Sequence, residues 1–158
     1  LIGPRSRSQD RSTFQGSASM SQHFHRFWLK VTAVIVGSFA PVFFLGTMPA
    51  TIEPARWTLD LLSWPIDGRT TYASPDTRFL SALTGGFLLG WGVLIWCLSS
   101  RVYDLAPEAV RRSVVAGVLA WFVLDSSGSI VSGNGSNAVF NIIVLIVAVG
   151  PLWRPATN

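Results

Sequence analysis

Four apolar runs, at 27–48, 79–98, 113–133 and 137–153, dominate the chain. Each is long enough, or nearly so, to cross the ~30 Å hydrocarbon core of a bilayer as a helix. The fold class expected is all-α, an integral membrane four-helix bundle. Composition supports this: 49% of the residues are hydrophobic and only 13% are charged, far from the balance of a soluble domain. Pro41 lies inside the first run, where a membrane helix tolerates it as a kink. Trp28, Trp96, Tyr103 and Trp153 fall near the run ends, where amphipathic rings favour the headgroup region.

Orientation follows from Lys and Arg. Arg5, Arg7, Arg11, Arg26 and Lys30 precede or open the first run, and Arg101, Arg111 and Arg112 lie between the second and third. Both segments are expected on the cytoplasmic side. The first connection balances Arg56, Arg69 and Arg78 against Glu53, Asp60, Asp67 and Asp76, and the last, "SGNGSN", carries no charge. These two are expected outside, and Arg154 returns the C-terminus to the cytoplasm.

Residues 1–26 read as a disordered N-terminal extension and cytoplasmic lead-in, and 27–158 as the transmembrane domain. The first nineteen residues are rich in Ser and Arg without apolar periodicity, and Met20 opens "MSQHFHRFWLK", a natural start for the chain. A cleaved signal peptide fits less well, because the first run is longer than a signal core and lacks an A-x-A site. The formal charge of +4 accompanies no aromatic RNA-binding motif or recognition helix, so no nucleic-acid partner is expected. His23 and His25 read as a solvated pair, and Cys97 as a packing thiol. No cofactor and no metal are expected.

In "ARWTLDLLSWPIDG", Trp57, Leu61 and Trp64 fall on one helical side and Arg56, Asp60, Ser63 and Asp67 on the other. This predicts a short interfacial amphipathic helix in the first outer loop, with Asp60 and Asp67 solvated. In the second run, Gly85, Gly86, Gly90 and Gly92 allow helices to approach closely. They are not a nucleotide loop, since no strand–turn–helix or lysine accompanies them.

The third run breaks its apolar pattern at Asp125. Val118, Trp121, Asp125, Gly128, Ser129 and Ser132 share one helical face, which points the carboxylate into the bundle. It lies about eight residues, roughly 12 Å of helix, from the turn at Gly133. Unpartnered there, it would cost about 2.5 to 3.5 kcal/mol. The short turn makes runs three and four an antiparallel hairpin, so Asn137 and Asn141 lie between the turn and Asp125, with Asn141 expected near Ser129. Thr84 enters from the second run, and Arg78 at its outer end is a candidate counter-ion. The expected binding site is therefore Asp125, Asn141, Asn137, Ser129, Arg78 and Thr84, a pocket opening outward under the 57–64 segment. Polar contacts joining helices are the plain alternative to ligand, lipid or proton handling. No catalytic residues are assigned, because no Ser-His-Asp or Cys-His set accompanies Ser126, Ser127 and Ser129.

"LLSWPIDG", "ALTGGFLLGWGVLIW", "WFVLDSSGSI" and "NAVFNIIVL", in this order, resemble a family of small four-helix inner-membrane proteins of proteobacteria. The resemblance spans about residues 25–155 and implies the four-helix architecture and a bacterial inner-membrane location, but transfers no functional residues. The expected function is that of a non-enzymatic accessory or scaffold protein, in contact with the lipid bilayer and assembled as a homo-oligomer or within a larger membrane complex. The alternative is a small oligomeric transporter or binder of a polar solute or lipid that uses Asp125.

The orientation is checked by single cysteines placed by Ser74→Cys and Ala106→Cys in a Cys97→Ala background. In intact cells, a membrane-impermeant thiol reagent should label position 74 and spare position 106. The reverse pattern would invert the topology.

Overall fold

The computed structural model describes residues 20–157, and the expectations for residues 1–19 fall outside that range. A short strand β1 (Met20–Ser21) leads into helix α1 (Gln22–Leu45), then α2 (Glu53–Leu62), α3 (Pro75–Cys97), α4 (Pro107–Val131) and α5 (Gly135–Val149). A one-turn π segment, Leu98–Val102, extends α3, a 3-10 turn, Gly150–Trp153, ends α5, and β2 (Ala156–Thr157) pairs in parallel with β1. The four long helices, Gln22–Leu45, Pro75–Val102, Pro107–Val131 and Gly135–Trp153, are apolar enough to span a membrane. The chain is thus all-α, a multi-pass membrane protein with four candidate spans and a short helix between the first two.

Local chemistry explains where the spans start. The Ser21 hydroxyl accepts from the Phe24 amide at 3.3 Å, so α1 begins before the apolar run does. Pro75 and Pro107 each stand in the first turn of their helix, where the missing N–H costs nothing. Between α4 and α5, Gly133 takes φ +84°, and the amides of Gly133 and Asn134 return to the carbonyls of Ile130 and Ser129 at 3.1 and 2.8 Å. This pair of bonds is a Schellman ending, and it turns the chain back within three residues.

No more than 28% of any span is buried within the chain, and large side chains such as Phe87 and Leu124 are 76% and 78% exposed. In water that would be prohibitive; in lipid it is the outer surface of the bundle. The helices associate as two pairs, α1 with α3 and α4 with α5, and touch less between pairs. The tightest core gathers at one end. There Leu29, Ala33, Ile95, Tyr103, Val114 and Leu152 pack together. Arg26 pairs with Asp104 and lies over the Tyr103 ring at 5.6 Å. Burial pushes the Tyr103 hydroxyl above its ordinary range, while the Arg26 guanidinium pulls it back.

Two backbone carbonyls fasten α1 to α5 at this end. The Val147 carbonyl would normally accept from the residue four positions on, but that residue is Pro151, which has no N–H. The Trp28 indole donates to it instead, at 3.2 Å. Next to it, the Thr32 hydroxyl donates to the Ala148 carbonyl at 2.7 Å, fully buried.

Two sequence expectations are corrected here, and a third holds for half of its residues. His25 is fully buried in α1, whereas His23 is exposed, because the chain end after α5 folds back over this turn. Asp60 is also fully buried, because its Oδ2 accepts from the Gly68 amide at 3.1 Å and its Oδ1 from the Thr70 hydroxyl at 3.0 Å, folding the following loop onto α2. The four glycines of α3 divide into two kinds. A Cβ on Gly92 would meet the Ala33 carbonyl at 2.8 Å and one on Gly85 the Ala40 carbonyl at 3.1 Å, whereas Gly86 and Gly90 face open space.

Gly92→Ala should therefore lower stability by about 1–3 kcal/mol through overpacking against the α1 backbone. Gly90→Ala should leave it unchanged or slightly raised. Thermal unfolding in a mild detergent checks both.

Candidate functional site

Asp125 sits in the last third of α4, half-buried, and the α4–α5 turn sets what faces it. Asn137 and Asn141 are one turn apart on α5, so the antiparallel hairpin presents both amides to the same stretch of α4. Asn137 Nδ2 donates to Asp125 Oδ2 at 3.0 Å and to Ser129 Oγ at 2.7 Å. Asn141 Nδ2 donates to the same Oδ2 at 2.6 Å and to Ser126 Oγ at 3.2 Å. Asp125 Oδ2 accepts from both amides, and each Nδ2 spends both of its hydrogens, one on that oxygen and one on a serine.

Of the expected residues, Asp125, Asn137, Asn141 and Ser129 form one bonded cluster. Asn141 reaches Ser126, not Ser129 as the register had suggested. Four residues along α5 correspond to three or four back along α4, so Asn137 takes Ser129 and Asn141 the turn below it. Ser126, only 8% exposed, was missed by the sequence reading, although this register arithmetic contained it. Thr84 lines the same space from α3, with its hydroxyl donating to the Leu80 carbonyl at 2.8 Å. Arg78 makes no ion pair with Asp125 among the described residues, and it does not line the space.

That space is a cleft of about 170 Å³ between the α1–α3 and α4–α5 pairs, with its polar end at Asp125, Asn137 and Asn141. Most of its wall is apolar, including Phe39, Phe43, Phe140, Leu88 and Val144. Trp91 and Trp121 also line it, with ring centroids 6.3 Å apart and planes tilted by 53°. The short helix α2 contributes Thr58 and Leu62. Ser136 at the start of α5 holds α2 in place by donating to the Leu62 carbonyl at 2.5 Å. The roof is thus made by the inward side of α2, while Trp57 and Trp64, 54% and 65% exposed, point away from the bundle.

On its other side, Asp125 borders a surface groove with Gly128, Ser129 and Ser132, which leads toward the α4–α5 turn. Asp125 therefore stands between the inner cleft and the bundle's surface. No family model, no curated protein and no solved structure matches the chain, so a four-helix protein with four candidate spans is what stands.

Because Arg78 and Asp125 are not paired, Asp125→Asn should change stability by no more than about 1 kcal/mol, since asparagine can still accept from both amides. Arg78→Gln should not rescue any loss, and the two effects should add within about 0.5 kcal/mol. Unfolding in detergent of both single variants and the double variant measures this.

Proposed function

We propose that this protein is a small non-enzymatic accessory protein of a bacterial inner membrane that works by binding one group of an amphiphile in the cleft between its hairpins. The observation that carries this reading is the composition of the cleft: an apolar wall, part aliphatic and part aromatic, with one cluster of fixed polar groups at a single end. Ligand sites have this character, whereas a contact serving only to join helices needs no space beside it. A cavity of ~150 Å³ accommodates a benzene-sized group. A cleft of about 170 Å³ therefore suits a headgroup or short segment, with the remainder of the molecule lying along the apolar outside.

The topology that goes with this proposal has both termini cytoplasmic and Asp125 in the outer half of the membrane, with the groove past Ser129 and Ser132 as the approach. The resemblance to the proteobacterial four-helix family supports the inner-membrane assignment. Gly86 and Gly90, open on the outer face of α3, leave a surface on which a second copy or another membrane protein can pack closely. Transport is the weaker reading, because the core around Leu29, Val114 and Leu152 fills the bundle below the cleft.

Native mass spectrometry of protein released from mild detergent should show one amphiphile retained per chain. Val144→Phe, which fills the cleft, should abolish retention while the protein stays folded. Retention unaffected by that change, or none in the parent, would overturn the proposal.

A further inference from the structure

The hydrogen-bond inventory of the cleft specifies the chemical class of the group it takes, an inference that rests on the binding role proposed above. Asn137 and Asn141 have no amide hydrogens left, since each gives one to Asp125 Oδ2 and one to a serine of α4. The hydroxyls of Thr58 and Thr84 donate to the carbonyls of Pro54 and Leu80, each at 2.8 Å. What remains at the polar end is acceptor: Asp125 Oδ1, the two amide oxygens and the lone pairs of the threonines. Among the described residues none of these oxygens of Asp125, Asn137 or Asn141 accepts a hydrogen bond, and no cation pairs with Asp125.

A carboxylate within a membrane calls for an opposite charge. Among the described residues Asp125 has two amides and no cation beside it. Trp91 and Trp121 line the same cleft, and an indole ring attracts a cation through its quadrupole. Only the indole N–H groups of these two rings offer donors among the polar lining, too few to recognise an anion. We infer that the cleft binds a protonated amine, a primary ammonium whose three N–H groups meet Asp125 Oδ1 and the asparagine oxygens while its alkyl stem lies against the tryptophans. Such a group occurs both on lipid headgroups and on free amines. The apolar wall beyond the polar end favours an amine carrying a chain.

The test uses the full chain in nonionic detergent and four probes: dodecylammonium, dodecyl sulfate, dodecyl maltoside and butylammonium, each titrated by calorimetry against the parent and Val144→Phe. Dodecylammonium should bind the parent at one site, at least about tenfold more tightly than the sulfate or the maltoside. Asp125→Asn should weaken it about tenfold to a hundredfold, the value of one hydrogen bond to a charged group. A circular dichroism spectrum and an unfolding temperature matching those of the parent report that the variant is folded. Equal or tighter binding of the sulfate or maltoside to the parent, blocked by Val144→Phe, would overturn the ammonium assignment and leave the cleft as a binding site. Binding of no probe that is sensitive to Val144→Phe would overturn both. Butylammonium binding as well as dodecylammonium would support the ammonium assignment with a free amine as its source, and binding of the long-chain amine alone would support it with a lipid-like one.

Discussion

A proline at position 151 deprives the Val147 carbonyl of its helical partner. The chain resolves this with side chains of α1: Trp28 donates to Val147, and Thr32 to the neighbouring Ala148. These bonds fix α1 against α5 at a definite height. Around them the apolar side chains of Leu29, Val149 and Leu152 close, and the two hairpins become one bundle at that end. Among the described residues no such bond joins them at the other end, where α2 bridges instead through Ser136 and Leu62. The cleft is a consequence of that asymmetry.

At Asp125 the same accounting has a different result. Two asparagines satisfy one carboxylate oxygen and hold the side chain still, and their remaining hydrogens are absorbed by Ser126 and Ser129. Two amides on one helix, a turn apart, thereby fix both the register of α4 against α5 and the direction in which the second carboxylate oxygen is presented. A structural contact and a presented acceptor are here one arrangement, which is why polar residues between membrane helices resist assignment to one role or the other.

Much of this could be read from residue spacing. The four spans follow from run length, and the Asp125, Asn137 and Asn141 grouping follows from helical periodicity combined with a turn too short to allow another register. The readings that failed concern burial created by distant chain. Asp60 reads as solvated because its partners, the Gly68 amide and Thr70, belong to a loop whose path no periodicity describes. His25 is covered by the chain that follows α5, more than a hundred residues away. Arg78 had the right charge and the right depth to be a counter-ion, but depth along a helix does not fix the side on which a residue stands. The glycines of α3 make the same point. Their number announced close packing, and only the rotation of α3 about its axis separates Gly85 and Gly92, against α1, from Gly86 and Gly90, on the outside.

The contact of Gly92 with the α1 backbone also bears on how the molecule can move. With Gly37 and Gly92 backbone to backbone, α1 and α3 cannot slide or bend independently, and they form the stationary member of the bundle. The α4–α5 hairpin is held to α1 at the Trp28 and Thr32 bonds and to α2 at Ser136, so a pivot of the hairpin about the first pair carries α2 with it. The fifteen residues of α5 make an arm of about 22 Å, and a rotation of about 5° moves its far end by about 2 Å. Because Asn141 and Asn137 stand at increasing distances along that arm, and Asp125 travels with them, the polar end of the cleft moves as one piece while its aromatic wall on α1 and α3 stays in place.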